Sequence, residues 1–357
     1  MDRRGGEKFA EDHPWISTLL VPFSIFYGTA VGLNRRLFRW GIRGSRVLPR
    51  PVVSVGNISI GGAGKTPLVM WLASRLQERG IKVAILTRGY GGKRSSPGEV
   101  VMLHGNEGAN IDPLVVGDEP LLMAGRLGDV PIFISSQRYR AGEVALKNGN
   151  VDLFILDDGF QHFPLARDLE IVAVDDRRRF GTGRLLPAGV LREPASRLAE
   201  ADIIVVTKAQ AVDAGFEEEI RRHTDADLCW ADFRPLGIRA FNGDEILDPV
   251  EFEGTKFLTF SGIADAKSFE ATAGKISCAI RGNARFKDHH PYGEGDVRAL
   301  MDMAGKVGAD AFLTTEKDAV RWPGRLSGLP CYALVMEPVF LHGEKILMEK
   351  VISLVDT

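Results

Sequence analysis

The chain has 357 residues, of which 45% are hydrophobic and 26% are charged, a composition typical of a folded protein with a core rather than of a disordered chain. Its net charge of -2 at pH 7 argues against bulk electrostatic binding of nucleic acid, and we predict no nucleic-acid partner. Three cysteines, Cys229, Cys278 and Cys331, lie far apart without a C-x-x-C pair, so neither a disulfide framework nor a thiolate metal site is indicated.

The amino-terminal segment departs from the usual pattern of a soluble chain. Residues 14–34 contain no charged residue, and a segment of this length could reach across a bilayer, although Pro22 and Gly28 dilute its apolarity. The arginines that follow are Arg35, Arg36, Arg39, Arg43, Arg46 and Arg50. An apolar segment with a polybasic flank predicts a helix associated with an anionic membrane surface, either spanning it or lying in its interface. A buried hydrophobic helix is the alternative.

A glycine-rich loop follows, between a strand predicted by "PVVSVGN" and a helix predicted by "PLVMWLASRLQERG". Phosphate loops need converging backbone amides, a lysine for the β- and γ-phosphate charges, and a hydroxyl for magnesium. We predict that the nucleotide-binding residues are Gly61, Gly62, Ala63, Gly64, Lys65 and Thr66. The strict pattern fails at Ser59, where it requires glycine, and a glycine-rich turn with an incidental lysine is the alternative.

Four more apolar runs end in polar residues, namely "KVAILTRGYGG", "DLFILDDGFQ", "LEIVAVDD" and "ADIIVVTKAQ". With helical stretches between them, they predict an α/β fold: a P-loop NTPase-like parallel sheet flanked by helices, with ligands at the carboxyl ends of the strands. From about Pro235 the pattern changes to a hairpin or linker and then to a smaller α/β domain. We therefore predict a membrane-associated segment at 1–46, a phosphate-loop domain at 47–234 and a smaller domain at 235–357.

Residues at the end of the strand predicted by "ADIIVVTKAQ" indicate which nucleobase the protein binds. Guanine-selective proteins carry Asn-Lys-x-Asp there, and the carboxylate accepts hydrogen bonds from guanine. This chain has Thr207, Lys208, Ala209 and Gln210, so an amide replaces the carboxylate and we predict adenine. Membrane-associated partitioning ATPases carry a lysine immediately before G-G-x-G-K-T, where this chain has Ile60, and that class is therefore disfavoured.

Two pairs of acidic residues are candidates for the chemistry. Asp157 and Asp158 end an apolar strand, where a Walker-B carboxylate would hold magnesium directly or through water. Asp118 and Glu119 of "VVGDEPLL" follow a loop. Each pair can instead cap a turn or a helix.

Arginines accumulate between these acids and the end of the predicted sheet. "VLREP" contributes Arg192 and Glu193. The loop before it contains Arg177, Arg178, Arg179 and Arg184. These side chains form either a solvated basic loop or a grip on an anionic acceptor.

"FKDHHPYGEGD" places Asp288, His289 and His290 in a polar loop, where a buried structural histidine would be unusual. Phosphoryl transfer to an alcohol requires that the hydroxyl is oriented and its proton accepted, and an aspartate supported by a histidine can do both. The sequence alone does not pair His289 with Asp118.

Eight motifs in chain order make the sequence resemble the tetraacyldisaccharide 4'-kinase family, the lipid A kinases of bacteria with an outer membrane. They are "VGNISIGGAGKTP", "LTRGYGG", "GDEP", "LDDGFQH", "FGTGRLLPAGVLREP", "VVTK", "FKDHHPY" and "TTEKDAVR". The resemblance implies transfer of the γ-phosphate of ATP, with magnesium, to the 4' hydroxyl of a tetraacyl glucosamine disaccharide 1-phosphate. It also implies a membrane lipid substrate at the cytoplasmic face of the bacterial inner membrane, and a kinase domain whose cleft the smaller carboxy-terminal domain completes.

The resemblance also implies roles for single residues, because the family's catalytic aspartate and its histidine partner match Asp118 and His289. The predicted catalytic residues are Asp118, His289, Lys65, Asp158 and Glu193. The predicted magnesium ligands are Thr66 and Asp157, with Asp158 as the alternative acid, and Arg192 is predicted to bind the acceptor's 1-phosphate. Thr182 and Val190 depart from the asparagine and proline that we expect of the family, but neither has a proposed chemical role.

Two other functions stay open at this point. One is a membrane-recruited P-loop ATPase switch, which would hydrolyse ATP without a lipid acceptor. The other is a GTPase-like chaperone that loads a metal, which would usually need a histidine or cysteine delivery cluster that the sequence lacks. No obligate protein partner is predicted.

Overall fold

The computed structural model of the chain describes residues 14–89, 92, 98–105, 112–241, 243, 245–276, 278–323 and 328–356. Its strands are β1 (Val52–Asn57), β2 (Val83–Thr87), β3 (Val101–Leu103), β4 (Ile132–Ile134), β5 (Leu153–Asp157), β6 (Leu169–Asp175), β7 (Ile203–Thr207), β8 (Asp227–Ala240), β9 (Ile246–Leu247), β10 (Lys256–Ser261), β11 (Ala279–Arg285), β12 (Ala311–Thr315) and β13 (Cys331–His342). Its α-helices are α1 (Pro14–Leu19), α2 (Val21–Arg39), α3 (Lys65–Gln77), α4 (Pro113–Val116), α5 (Asp118–Leu127), α6 (Arg138–Asn148), α7 (Ala214–Arg221), α8 (Ala266–Ala273), α9 (Glu294–Val307), α10 (Glu316–Val320) and α11 (Glu344–Ser353). Residues 1–13 of the predicted amino-terminal segment, and Tyr90 and Gly91 of the "LTRGYGG" motif, lie outside the described residues.

The strands of the first half form the expected parallel sheet. β1 lies between β5 and β6, followed outward by β2 and β4 on one side and by β7 on the other, all in parallel, and the short β3 adds an antiparallel edge. Every residue of β1, β5, β6 and β7 is buried, as expected of apolar strands with helices on both faces. The carboxyl ends of β6, β1 and β5 therefore lie side by side, because these three strands are neighbours and parallel.

β8 and β13 extend the sheet into the second half of the chain. They pair antiparallel along most of their length, while β8 also pairs in parallel with β7 and β13 in parallel with β12. One continuous sheet results, in the order β11-β10-β12-β13-β8-β7-β6-β1-β5-β2-β4-β3, with β9 paired to β8 as a hairpin. The predicted boundary between residues 234 and 235 lies within β8, and the division into domains stays a prediction.

Packing of α3 against the sheet fixes the position of its first residue. Leu68, Leu72 and Leu76 are at most 1% exposed and pack with residues of β1, β2 and β5 in the largest core cluster. α5 and α11 contribute to the same cluster, whereas α6 and α7 pack in two other clusters. Because α3 is held along its length, its first residue Lys65 is held at the carboxyl edge of the sheet.

The predicted amino-terminal helix is present as α1 and α2, but little of it is buried. Ser24 is the one buried residue of α2, and Phe23 and Phe26 are 63% and 77% exposed. The hydroxyls of Ser17 and Ser24 donate to the carbonyls of Ala188 and Leu185 at 2.6 and 2.9 Å. Within the described ranges, no helix is both long and apolar enough to cross a membrane. Association of this segment with a membrane stays a prediction.

Candidate active site

The loop between β1 and α3 has a backbone that favours glycine at two positions. Gly61 and Gly64 have φ of +97° and +75°, in the region that side chains with a Cβ rarely adopt. A Cβ on Gly64 would also lie 2.4 Å from the ring of Phe233. The hydroxyl of Thr207 donates to the carbonyl of Ala63 at 3.0 Å, which ties the loop to the end of β7.

Ser59, the residue that departs from the phosphate-loop pattern, is explained by its pairing. It forms an isolated β-bridge with Leu191, and the amide of Ile60 donates to the carbonyl of Val190 at 2.8 Å. Among the described non-glycine residues, Ser59 is not one of those with positive φ. The first position of this loop is thus extended and needs no glycine.

Lys65 lies at the centre of a charged group. Its Nζ is 3.2 Å from Asn57 Oδ1 and 3.2 Å from Asp158 Oδ1. Arg192 Nη1 donates to both carboxylate oxygens of Asp158, at 3.3 and 3.2 Å. Burial raises the pKa of Asp158, but the Lys65 and Arg192 cations outweigh it and hold the pKa at about 2. The structure therefore brings together three predicted site residues, Lys65, Asp158 and Arg192.

Asp157 has the opposite electrostatic environment. It is 3% exposed, and its Oδ2 accepts a hydrogen bond from Thr87 Oγ1 at 2.9 Å. Burial, with the neighbouring carboxylates of Glu119 and Asp158, raises the pKa of Asp157 to about 7. A cation placed here would therefore stabilise the charged form of Asp157.

The residues predicted to hold magnesium fit a divalent cation. Asp157 Oδ1 is buried without a hydrogen-bond partner among the described residues, and the hydroxyl of Thr66 lies in the first turn of α3. The described part of the chain has no group of three histidine, cysteine or acidic side chains that could form a metal cage by itself. Magnesium in nucleotide sites is commonly held by one or two side chains, with substrate phosphates and water completing its coordination.

Asp118 and His289 lie in contact, although they come from different halves of the chain. His289 Nδ1 is 2.9 Å from Asp118 Oδ2, and Arg321 Nε donates to the same oxygen at 2.8 Å. Burial raises the pKa of Asp118, but these hydrogen bonds from His289 and Arg321 outweigh it and lower the pKa. Both contacts fall on Oδ2, so among the described residues Oδ1 has no hydrogen-bond donor and can face a substrate hydroxyl.

Arg321 is itself fixed by a buried network. Its side chain is 5% exposed, and its Nη1 donates to the carbonyl of Gly262 at 3.1 Å and lies 3.4 Å from Asp318 Oδ1. Asp318 is fully buried and also accepts from the hydroxyl of Tyr292 at 2.9 Å. The amide of His289, which has φ of +57°, donates to Gly262. These contacts therefore fix the positions of Arg321 and His289 beside Asp118.

Two further ion pairs join α5 to α10. Lys317 Nζ is 2.8 Å from Glu119 Oε1, and Arg126 Nη1 is 2.9 Å from Glu316 Oε1. Burial raises the pKa of Glu119, but the Lys317 cation outweighs it and lowers the pKa, and the charges of Lys65 and Asp158 also act on this carboxyl. The "GDEP" acids thus lie within electrostatic range of the phosphate loop.

Glu193 has a partner of its own, away from the Lys65 group. It is 1% exposed, and its Oε2 accepts from Arg197 Nε at 2.6 Å. Arg197 also pairs with Glu200, which in turn pairs with Arg35 of α2. These contacts give Glu193 a place in a buried ion network that ends at the amino-terminal helix, and its catalytic role stays a prediction.

His162, the last residue of the "LDDGFQH" motif, lies among cations. Burial and the charges of Arg138, Arg167 and Arg88 lower its pKa to about 3, so the imidazole is neutral at physiological pH. This neighbourhood was not predicted, because its members come from three separate segments of the chain: the loop after β2, α6 and the loop between β5 and β6.

Sequence reasoning also missed three residues that contact predicted site residues: Asn57, Lys317 and Arg321. A signal was present for two of them, since Lys317 and Arg321 belong to the "TTEKDAVR" motif, to which no chemistry was assigned. Asn57 is the last residue of β1, a polar end of an apolar strand. Each acts through another side chain, and such a role has no local pattern.

Known proteins resemble this chain over most of its length. The profile of the family described as LpxK, Tetraacyldisaccharide-1-P 4'-kinase, matches residues 16–355. The tetraacyldisaccharide 4'-kinase of Geobacter metallireducens is 38% identical over 323 residues, covering 90% of this chain and 94% of the relative. That of Chromobacterium violaceum is 38% identical over 309 residues, covering 86% and 84%.

A solved structure extends the agreement to the fold. The "apo" form of LpxK from Aquifex aeolicus in complex with ATP has a TM-score of 0.78 to this chain, with 29% identity. The match covers 95% of this chain and 99% of that one. The chain therefore belongs to the tetraacyldisaccharide 4'-kinase family.

Proposed function

We propose that this protein transfers the γ-phosphate of ATP to the 4' hydroxyl of a tetraacyl glucosamine disaccharide 1-phosphate in lipid A biosynthesis. The observation that carries the proposal is the pairing of Asp118 with His289 beside the phosphate loop. Glu119, the next residue, is close enough to Lys65 for the lysine charge to lower its pKa. A candidate base and a phosphate loop thus face one space, as phosphoryl transfer to an alcohol requires. Family membership and the ATP complex of the LpxK relative support the same reaction.

The residues have complementary roles in the proposed transfer. Lys65 and the loop amides neutralise charge on the β- and γ-phosphates, because they lie together at the amino-terminal end of α3, where anions bind. The bond from the sugar oxygen to the γ-phosphorus forms while the bond to the β-phosphate oxygen breaks. ADP leaves with that electron pair, and the hydroxyl proton passes to Asp118 Oδ1. His289 and Arg321 hold Asp118 Oδ2, so the free oxygen keeps its direction.

Thr66 and Asp157 are the groups that would hold magnesium, with Asp158 as the alternative acid. When bound, the ion supplies positive charge to the β- and γ-phosphate oxygens. The unpartnered Oδ1 of Asp157 supports this assignment. Arg192 contacts Asp158 through Nη1, and its Nη2 and Nε groups are further donors for the acceptor's 1-phosphate.

A lipid acceptor places the protein at a membrane surface, which we infer to be the cytoplasmic face of the inner membrane. Three features support this: the exposed Phe23 and Phe26 of α2, further exposed apolar residues near its ends, and the arginines that follow. Part of that flank has internal partners, because Arg35 pairs with Glu200 and Arg46 lies over the ring of Tyr139. No obligate protein partner is proposed.

The decisive test is transfer itself. The protein is incubated with γ-labelled ATP, magnesium and the acylated disaccharide 1-phosphate, and the lipid is analysed for a second phosphate. Asp118→Ala should lower transfer about 10²- to 10⁴-fold, the usual contribution of a general base, while ATP affinity stays near that of the unchanged protein. Asp302→Ala, an exposed aspartate of α9, is the matched control and should transfer normally.

Two outcomes would contradict the proposal. Label that appears only as free phosphate, with or without lipid, would indicate the membrane-recruited ATPase switch. Undiminished transfer by Asp118→Ala would show that Asp118 is not the general base, and the proposed mechanism would then lack one.

A further inference from the structure

Arg178 is the second of three consecutive arginines in the loop that follows β6. β6 pairs in parallel with β1 up to Asn57 and Ala173, so this loop leaves the sheet next to the phosphate loop. Arg178 Nη1 lies 2.7 Å, and Cζ 3.6 Å, from the point where a Cβ on Gly61 would stand. The guanidinium therefore rests directly on a glycine of the phosphate loop.

The other two arginines are used elsewhere. Arg177 Nη1 donates to Ser268 Oγ of α8 at 2.9 Å. Arg179 pairs with Asp213, and its guanidinium lies 4.5 Å from the centre of the Phe216 ring. Both neighbours thus have partners outside the phosphate loop, and Arg178 is the member of the run that contacts Gly61.

The loop that carries Arg178 is fixed at its base. The amides of Arg178 and Arg179 donate to the carbonyl of Asp175 at 3.2 and 2.7 Å. The Asp175 carboxylate is buried and accepts from the Arg177 amide and from Lys208 Nζ, at 3.0 and 2.6 Å. The position of Arg178 over Gly61 thus follows from a tight turn at the end of β6, although the side chain itself is exposed.

The charge of Arg178 is also uncommitted. Lys65 and Arg192 both contact the carboxylate of Asp158, whereas no carboxylate of the described residues pairs with Arg178. A guanidinium on a phosphate loop, with no acid of its own, is poised for phosphate oxygens, which it binds in a planar fork.

We propose that Arg178 is an arginine finger supplied within the chain, which contacts the γ-phosphoryl group as it moves from ADP to the acceptor. Such an arginine stabilises the charge on the phosphoryl oxygens in the transition state more than in bound ATP. The inference rests on the proposed function, since it gives a further catalytic residue for the same transfer. The bonds and the proton move as described above, and Arg178 stays protonated throughout.

The test compares Arg178→Ala and Arg178→Lys with Arg222→Ala, which removes the same charge from an exposed arginine that follows α7 and pairs with Glu218. With labelled ATP and the acylated disaccharide 1-phosphate, Arg178→Ala should lower kcat by about 10²-fold or more, in the range of other transition-state donors. Arg178→Lys should recover little, because lysine lacks the fork. Arg222→Ala should stay within about threefold of the unchanged protein, as surface substitutions usually do.

Binding of nucleotides separates this role from ordinary nucleotide affinity. Affinity for ADP should be the same in all four proteins, because ADP lacks the γ-phosphoryl group, and it also shows that each variant is folded. The complex of ADP, magnesium and fluoroaluminate, which mimics the transferring group, should form with the unchanged protein and with Arg222→Ala but not with Arg178→Ala.

Normal kcat in Arg178→Ala would overturn the inference while leaving the proposed function intact. A loss of ADP affinity as large as the loss of kcat would also overturn it, because Arg178 would then be a ground-state ligand. If the unchanged protein gave no phosphorylated lipid, the proposed function would fail. The fluoroaluminate complex would still decide the role of Arg178, since it needs no lipid.

Discussion

Asp157 and Asp158 are neighbours in the chain, yet their protonation is controlled in opposite directions. Asp157 is buried beside other carboxylates, which raises its pKa to about 7. Asp158 also experiences burial, but the cations Lys65 and Arg192 hold its pKa at about 2. One strand end thus presents a carboxyl that is largely ionised and one that is partly protonated near neutral pH.

This difference predicts opposite effects of two conservative substitutions on stability. An aspartate in the unfolded chain titrates near pH 4, so between about pH 4 and 7 folded Asp157 keeps a proton that the unfolded chain has lost. Stability of the unliganded protein therefore falls as pH rises through that window. Asp157→Asn removes this penalty, and its Tm should exceed that of the unchanged protein by at least about 2 °C at pH 8, with the difference shrinking toward pH 4.

Asp158→Asn is the matched comparison. The lowered pKa of Asp158 stabilises the fold above about pH 4 and is lost as pH falls through about 2. Its replacement should therefore lower Tm at pH 8, which thermal unfolding at several pH values can measure. Equal signs for the two substitutions would show that the pKa difference between these carboxyls is not as described.

At the scale of elements, the amino-terminal helix is joined to the phosphate loop through one intervening segment. The Ser24 hydroxyl donates to the carbonyl of Leu185 and accepts from the amide of Ala188, both at 2.9 Å. The same segment continues to Val190, whose carbonyl accepts from the amide of Ile60 in the loop. α2 is therefore attached by a few polar contacts to a segment that also shapes the nucleotide site.

Ser24→Ala should loosen this attachment. The buried amide of Ala188 would lose its acceptor, at a cost of about 1–3 kcal/mol, and amides of α2 should exchange their hydrogens faster. Thr29→Ala is the control, because the Thr29 hydroxyl is exposed and donates within its own helix to Ile25 at 2.8 Å. Hydrogen exchange of α2 that is equal in the two variants would argue that Ser24 does not hold the helix.

At the scale of the whole molecule, side chains from the two halves of the chain contact each other at the "GDEP" acids. The first half supplies Asp118 and Glu119, and the second half supplies His289, Lys317 and Arg321. The candidate base is therefore complete only when both halves are in contact, although each acid lies on a helix of the first half.

α2 carries exposed apolar residues and is attached to the segment that pairs with Ile60 of the phosphate loop, so we expect the membrane surface to face this side. Replacing Phe23 and Phe26 by serine should lower partition into vesicles of phosphatidylethanolamine and phosphatidylglycerol about tenfold or more, because apolar area no longer leaves water. Co-sedimentation measures it. Val250→Ser, a change at an apolar residue that is 60% exposed in the other half, should leave partition unchanged. Unchanged partition of the double variant would count against α2 as the contact with the membrane.

Much of this protein is determined locally in its sequence. Continuous apolar runs predict buried parallel strands because a strand covered on both faces has no polar side, and the sheet confirms β1, β5, β6 and β7. Gly61, Gly64 and Lys65 predict a phosphate loop because that backbone and charge arise within a few residues. The ordered motifs predict the family, which the comparisons confirm.

Only the tertiary structure decided which side chains meet. His289 and Asp118 are 171 residues apart, and Arg321 and Asp118 are 203 apart, so their contact depends on strand order and on the long pair β8 and β13. Ser59 looked like an error in a pattern until its bridge to Leu191 showed an extended backbone. Periodicity and spacing describe a residue's immediate neighbours along the chain, whereas pKa values and the direction of a guanidinium depend on neighbours that folding brings together.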